Sequence, residues 1–311
     1  MFTQLHLHSH YSLLDAIGTP AKYVSKAAEL HMTALALTDY SWMYGVIEFY
    51  KACKKKEIQP ILGIEIALVQ DRRLDLWKHK PWTITLLAKN YEGYLSLLEI
   101  ASHGNLEWYQ SQPCIDREVL QWHTQHLIWF MWWSQSYIWK LISNNEDISK
   151  IKDTLELLTS YFSAGDFYLE YVVQNEQKMP EEKKVNHLLL QAAKEYSLPL
   201  FCSTNVHYID QEDKEAFEVA MAIKDGKRIY DEERRKTKWD FSLQSEDEVR
   251  SICERNWLWL ADINTMIKTT EAIVEKIDIT LPLWTILFPK YDSQENIKQT
   301  YEQVKDELIV E

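Results

Sequence analysis

Apolar residues along the chain fall into two alternating patterns. Short, nearly continuous apolar runs are typical of buried strands, and they occur at 34–38, 59–69, 83–88, 127–131, 167–172 and 198–204. Segments with helical spacing lie between many of them, for example after Pro20, a residue suited to the first turn of a helix. This alternation predicts a parallel sheet with right-handed crossovers, and about seven such units predict a closed α/β barrel. The functional end of such a barrel is the carboxyl-terminal rim of its strands.

The first predicted strand, at residues 4–9, carries histidines at alternate positions, and His10 continues this spacing just after it. Successive side chains of a strand point to opposite faces, so His6, His8 and His10 share one side and Leu5 and Leu7 share the other. Leucines buried beneath helices and imidazoles turned toward a cavity suit the first strand of an α/β barrel. Neutral imidazole is a common ligand of transition metals. The alternative is a polar-faced edge strand with a chance cluster of histidines.

Composition narrows the class of protein. The 311 residues are 46% hydrophobic and 26% charged, which is typical of a soluble globular protein. The net charge of −13 argues against a surface that is basic overall, so any nucleic-acid contact is expected to be local or made by a partner. The most charged stretch, at 227–240, is interpreted as a solvated loop, with a binding patch as the alternative.

The lack of a recognisable targeting signal and the spacing of the cysteines predict a reduced, cytoplasmic protein. The sequence shows no charged-then-apolar leader and no apolar run of membrane-spanning length, so we expect a cytoplasmic protein without membrane contact. Its four cysteines are far apart and form no C-x-x-C pair. We therefore expect free thiols rather than a disulfide framework.

Candidate metal ligands recur at the ends of the predicted strands. They are His6, His8, Asp15, Asp39, Tyr40, Glu65 and His207. Imidazoles and carboxylates that converge on one rim can hold two or three divalent ions, which polarise a phosphate and lower the pKa of a bound water. Simpler explanations stay open, because Asp15 could cap a turn, Glu65 could be a surface charge and His207 could bond to a backbone carbonyl.

Several longer motifs resemble one known family, the polymerase and histidinol phosphatase (PHP) domain. They are "HLHSHYSLLD", "ALALTDYSWMYGVIEFYKACKKKEIQPILGIEI", "LLAKNYEGYLSLL" and "STNVHY". The chain most closely resembles the N-terminal PHP domain of bacterial DNA polymerase III alpha subunits, because "EFYKACK" followed by "QPILG" is specific to that branch. The resemblance implies a distorted seven-stranded β/α barrel with a metal cleft at the carboxyl-terminal rim. It places the PHP domain at 1–285, and 286–311 at the start of a connection toward a polymerase domain that is absent from this chain.

Family members with an intact site use about nine metal ligands, and the resemblance divides these positions into two groups. The matching ligands are His6, His8, Asp15, Glu65 and His207. The degenerate positions are Tyr40, Thr83, Trp133 and Asn205, where the family has histidine, histidine, cysteine and aspartate. A phenol is a poor ligand at neutral pH, and tryptophan offers no lone pair. We therefore expect one or at most two divalent ions, zinc or manganese, or none. His10 as a substitute ligand stays open.

Three functional hypotheses follow. The first is a structural and docking domain of a replicative polymerase with a partly decayed metal site. The second is a metal-dependent phosphoesterase or 3′–5′ exonuclease, and the third is an unrelated metal-dependent hydrolase barrel. Under the first two, the resemblance implies as partners the remaining polymerase domains, a proofreading exonuclease subunit in some members, and DNA through the holoenzyme.

The counts of tryptophan and glycine are unusual. The chain has 13 Trp and 7 Gly, whereas average usage of about 7% glycine would give roughly 20. Trp108, Trp132 and Trp284 fall where the family pattern has glycine, and Trp133 and Trp139 fall where some members have it. One codon decoded as glycine in the source organism but written as tryptophan would explain this. The alternative is a lineage that repacked around tryptophan.

Overall fold

The computed structural model describes residues 1–69, 81–106, 112–132, 156, 159–163, 165–178 and 180–283. The chain divides into two compact units, Met1–Ile279 and Thr280–Glu311. The strands are β1 (Ala34–Leu37), β2 (Gln59–Val69), β3 (Trp82–Ala88), β4 (Cys114–Asp116), β5 (Leu127–Trp132), β6 (Phe167–Val172) and β7 (Leu200–Ser203). The helices are α1 (Pro20–Glu29), α2 (Val46–Lys55), α3 (Tyr91–Leu106), α4 (Arg117–His123), α5 (Pro180–Glu195), α6 (Lys214–Lys224), α7 (Glu246–Arg255) and α8 (Leu260–Glu275). The predicted α/β class is confirmed.

The strands form one seven-stranded sheet in the order β1-β2-β3-β5-β6-β7, with β4 paired to β2. The prediction of an entirely parallel sheet was wrong, because β3 runs antiparallel to both β2 and β5. In the sequence pattern β2 and β3 follow one another as strands, and antiparallel neighbours need no crossover helix. The reversal brings the beginning of β3, where Thr83 pairs with Ala67, to the edge at which β2 ends.

The N-terminal segment, residues 4–8, links the two edge strands of the sheet. Leu7 accepts a hydrogen bond from the backbone N–H of Thr38, just after β1, and forms a parallel bridge with Val206, which follows β7. The N–H of Val206 donates to His6 at 3.0 Å, and the N–H of His8 donates to Val206 at 2.8 Å. The first predicted strand is therefore shorter than expected, but it pairs on both sides and curls the sheet.

Helices cover the sheet and leave its strands buried. Every residue of β1, β6 and β7 is buried, as expected for strands covered on both faces. Helix α1 begins with Pro20 after an N-cap at Thr19, and it buries Tyr23 and Val24. Within the described ranges, none of the helices combines the length and the apolar character needed to cross a membrane.

The charged segment 227–240 follows α6 and contains neither helix nor strand. Most of its residues are exposed. Arg234 pairs with Glu218 at 3.0 Å, and Arg235 pairs with Asp225 at 2.5 Å. Two of its six positively charged side chains are therefore balanced by acidic side chains of α6 and the residue that follows it.

Trp257 occupies a position that favours glycine. It follows the C-cap of α7 with a φ of 63°, its N–H donates to Glu254, and the N–H of Leu258 donates to Cys253. This is a Schellman motif, in which the residue with positive φ is usually glycine because it lacks a Cβ. Trp257 is also 82% exposed, so packing does not offset that strain. Trp108, Trp133, Trp139 and Trp284 lie outside the described residues, and only the backbone of Trp132 lies within them.

Replacing Leu7 with alanine should destabilise the fold. Leu7 is fully buried, so Leu7→Ala should lower the free energy of unfolding by about 2–5 kcal/mol through lost burial and a residual cavity. Leu13 is 76% exposed, and Leu13→Ala should change the same free energy by no more than about 0.5 kcal/mol. Urea unfolding followed by circular dichroism measures both. Equal effects of the two substitutions would contradict the role given to residues 4–8.

Mass spectrometry of the protein from its native source tests the codon hypothesis. Peptides that span residue 257, residues 105–110 and residues 281–286 should carry glycine mass where tryptophan is written, because glycine suits the positive φ found at 257. Peptides without tryptophan control for sequence coverage. Tryptophan at all of these positions would favour the repacked lineage instead.

Candidate metal centre

Two histidines and one glutamate meet inside the curled sheet. His6 and His8 come from the N-terminal segment, and Glu65 comes from the middle of β2. The Oε2 atom of Glu65 lies 2.6 Å from Nε2 of His6 and 3.1 Å from Nε2 of His8. One nitrogen or oxygen from each of the three lies within 4.8 Å of the others, and all three side chains are buried. The histidines at alternate positions, His6 and His8, therefore face the same carboxylate oxygen of Glu65.

Backbone pairing fixes the carboxylate of this group. The N–H of Glu65 donates to the carbonyl of Asp39, and its own carbonyl accepts from the N–H of Ser41. These two hydrogen bonds join Asp39 and Ser41, which follow β1, to β2 at the position of Glu65. The interpretation of Glu65 as a surface charge is excluded, since its side chain is 1% exposed.

The charges of this group stabilise one another. Burial alone would lower the pKa of His6, but the Glu170 and Glu65 carboxylates outweigh it and raise that pKa to about 10. Burial would raise the pKa of Glu65, but His6 and His8 outweigh it and lower that pKa to about 2. Both shifts favour the charged forms, an imidazolium at His6 and a carboxylate at Glu65.

His207 lies beside the group but not in it. Its ring centroid is 4.7 Å from that of His8, and its Nδ1 lies 2.5 Å from the carbonyl oxygen of Asp15. Because a carbonyl only accepts, Nδ1 carries the proton and Nε2 keeps the lone pair that a metal needs. Burial and the adjacent His8 hold the pKa of His207 well below its usual value. The backbone-carbonyl explanation is thus correct for one nitrogen and leaves the other available.

The side chain of Asp15 has a different partner. Both of its carboxylate oxygens accept from Nζ of Lys224, at 2.7 and 2.5 Å, and the side chain is 31% exposed. It does not belong to the ligand group found among the described residues. The ammonium group of Lys224 compensates this charge.

Asp39 and His10 do not join the ligand group in the described part of the chain. The carboxylate of Asp39 accepts from the Ser9 N–H and from the hydroxyls of Ser9 and Ser12, so it organises the loop after the histidines. His10 packs against Tyr11 with ring centroids 4.3 Å apart, and its Nδ1 is buried without a hydrogen-bond partner among the described groups.

Three degenerate positions lie in the described residues. The ring of Tyr40 stacks on His8 with centroids 4.1 Å apart, and desolvation together with Glu65 raises the pKa of its phenol well above the usual value. Thr83 is half-buried at the start of β3. Asn205 is buried with a φ of 49°, and neither polar atom of its side chain has a partner in the described structure. Trp133 lies outside the described residues.

Sequence reasoning missed Glu170, which lies in β6. Its side chain is fully buried, and its Oε1 lies 2.8 Å from Nδ1 of His6 and also accepts from the Ser203 hydroxyl. Its other oxygen has no hydrogen-bond partner among the described residues. The available signal was a single charge inside the apolar run "FYLEYV". A charge there needs a buried partner, although the sequence does not identify which one.

The side chains present fit a divalent ion. Imidazole nitrogens and a carboxylate oxygen form a donor set used by zinc and manganese sites. Neither ring nitrogen of His8 makes a hydrogen bond in the described structure, although both are buried. An ion bound by His6, His8 and Glu65, with His207 beside them, would give Nε2 of His8 a bonding partner next to the Glu65 carboxylate, which lies 3.1 Å away.

Proteins of known sequence are similar to this chain along most of its length. The profile of the PHP domain matches residues 4–174. DNA polymerase III subunit alpha of Borreliella burgdorferi is 32% identical over 290 residues, which cover 90% of this chain and 24% of that protein. The same subunit of Thermus aquaticus is 32% identical over 294 residues, which cover 91% of this chain and 23% of that protein. The chain spans about a quarter of the length of these curated relatives.

A solved structure is similar in part. It is a protein of Bifidobacterium adolescentis that its name assigns to the metal-dependent phosphoesterases, with a TM-score of 0.44, 14% identity, and coverage of 84% of this chain and 98% of that chain. The matching profile covers more than half of the 311 residues, so the resemblance seen in the sequence is confirmed. The chain belongs to the PHP domain family.

Proposed function

We propose that this chain is the PHP portion of a DNA polymerase III alpha subunit and serves DNA replication as a structural and docking domain. The observation that carries the proposal is the similarity to such subunits along 90% of the chain. The remaining polymerase domains would be its first partners, with a proofreading exonuclease subunit as a further one. DNA would be reached through the assembled polymerase, because a net charge of −13 disfavours extensive direct contact.

The metal centre under this proposal is reduced but retained. His6, His8 and Glu65 would hold one divalent ion, zinc or manganese, with His207 as a further ligand. Such an ion polarises phosphate oxygens and lowers the pKa of bound water. A larger cluster is disfavoured because Asp15 is paired with Lys224 and an uncharged phenol covers His8.

A second candidate is a metal-dependent phosphoesterase or 3′–5′ exonuclease. The specific observation in its favour is that the two histidines and Glu65 remain within 4.8 Å of one another despite the substitutions nearby. The third hypothesis, an unrelated hydrolase barrel, was wrong, because the chain belongs to the PHP family.

Metal analysis of the purified chain should find about one divalent ion per chain, and no more than two, because three donors are grouped in the part of the chain that the structure describes. Inductively coupled plasma mass spectrometry gives the stoichiometry, and titration with zinc or manganese gives the affinity. His8→Ala should abolish or strongly weaken binding. His187, an exposed residue of α5, supplies the matched control His187→Ala, which should bind as the unmodified chain does. Three tightly bound ions, or binding that is unchanged by His8→Ala, would contradict the proposed centre.

The unmodified chain should degrade single-stranded DNA weakly or not at all, because the degenerate positions remove ligands for additional ions. Tyr40→His, Thr83→His and Asn205→Asp, combined with Trp133→Cys at a position outside the described residues, should raise that activity. A 3′–5′ assay on an end-labelled oligonucleotide with manganese measures it.

The control for this assay is the same restored chain with His8→Ala, which should be inactive. Robust hydrolysis by the unmodified chain that disappears in His8→Ala would favour the exonuclease candidate over the docking domain.

A further inference from the structure

We propose that Glu170 is a positioning residue for the metal centre: it fixes the ring of His6 so that Nε2 faces the ion. This inference rests on the proposed metal site of His6, His8 and Glu65. It adds a residue from β6 that neither the sequence motifs nor the family match assigns to that site.

The two nitrogens of His6 face two different carboxylates. Nδ1 lies 2.8 Å from Oε1 of Glu170, and Nε2 lies 2.6 Å from Oε2 of Glu65. Only the side of Nε2 is shared with His8. An ion bound by Glu65 and His8 would therefore replace the proton on Nε2, while Nδ1–H continues to donate to Glu170. Histidine ligands commonly donate their second ring N–H to a carboxylate in this way.

The side chain of Glu170 is itself held in place. The Ser203 hydroxyl donates to Oε1, the same oxygen that faces His6. Glu170 is paired with Phe201 in the adjacent strand β7, two residues before Ser203. Two neighbouring strands therefore fix the acceptor, and both Glu170 and Ser203 are fully buried. A fixed acceptor restricts rotation of the His6 ring, which also contacts Glu65 through Nε2 and packs against the rings of Phe130 and His8.

A purely structural role for Glu170 makes a different prediction. A buried carboxylate beside an imidazolium contributes to stability whether or not the site binds metal, and its loss is costly. In that case substitution would lower the melting temperature and leave metal affinity unchanged. A positioning role requires that affinity falls and that His6 keeps its proton on Nδ1 when metal is bound.

Competition titration of the full chain with zinc, against a chromogenic chelator, separates the two roles. Glu170→Gln should raise the zinc dissociation constant about 10–100-fold, and Ser203→Ala should raise it less. Glu176 provides the matched control, because it is also a buried carboxylate but contacts Tyr171 and Asn186 instead of the histidines. Glu176→Gln should leave the dissociation constant unchanged. A melting curve of each variant reports its stability separately.

Nitrogen NMR of the zinc-loaded, histidine-labelled chain gives a readout that needs no substitution at Glu170. His6, assigned by its absence in His6→Gln, should be found as the Nδ1–H tautomer. If Glu170→Gln does not fold, Ser203→Ala and this spectrum decide the question. An Nε2–H tautomer for His6 overturns the inference. Unchanged affinity in Glu170→Gln, when His8→Ala abolishes binding, also overturns it. Absence of zinc binding by the unmodified chain overturns the metal centre itself, and this inference with it.

Discussion

Pairing of residues 4–8 with both edges of the sheet is the constraint on which the rest of the site depends. It joins the residue after β1 to the segment after β7, two parts of the chain separated by almost 170 positions. The same five residues bury Leu5 and Leu7 on one side and turn His6 and His8 inward on the other. A one-residue shift of this register would exchange the leucines and the histidines. Hydrophobic burial therefore fixes where the imidazoles lie.

The buried imidazole of His6 lies beside buried carboxylates, so the charges of this group have to be balanced. Two buried carboxylates, Glu65 and Glu170, face one histidine ring, and taking such groups out of water costs several kcal/mol each unless they are paired. A protonated His6 balances one negative charge. A divalent ion at Nε2 would supply more positive charge and would also satisfy His8. The group is ion-paired through His6, and under the proposed site a cation would replace the proton on Nε2 while the contact of Nδ1 with Glu170 is kept.

The local pattern of apolar and polar residues was sufficient to predict part of this structure. Alternation in "LHLHSH" predicted that His6 and His8 share a face, and apolar runs located six of the seven strands. Three-residue β4 is too short to give a pattern, and the direction of β3 depends on its neighbours. Glu170 could not be assigned, because its partner His6 is 164 positions away and a lone charge in an apolar run does not name its counter-charge. Asp15 matched the family motif, yet the ammonium group that binds it comes from α6.

The pairing of Asp15 with Lys224 connects the altered ligands with one another. In a site with several ions, a carboxylate at this position would be balanced by metal charge, and the resemblance implies further ligands where this chain has Tyr40 and Asn205. Under the proposed single-ion site, a second ion would be held poorly and the Asp15 carboxylate would need another cation. Lys224 provides one at the half-exposed edge of the site, where an ion pair needs little desolvation. His207 is held by the carbonyl of the same Asp15, so this ion pair also anchors the residue beside the remaining ligands. The Asp15–Lys224 ion pair and the uncharged residues Tyr40 and Asn205 are therefore consistent with the proposed site for one cation.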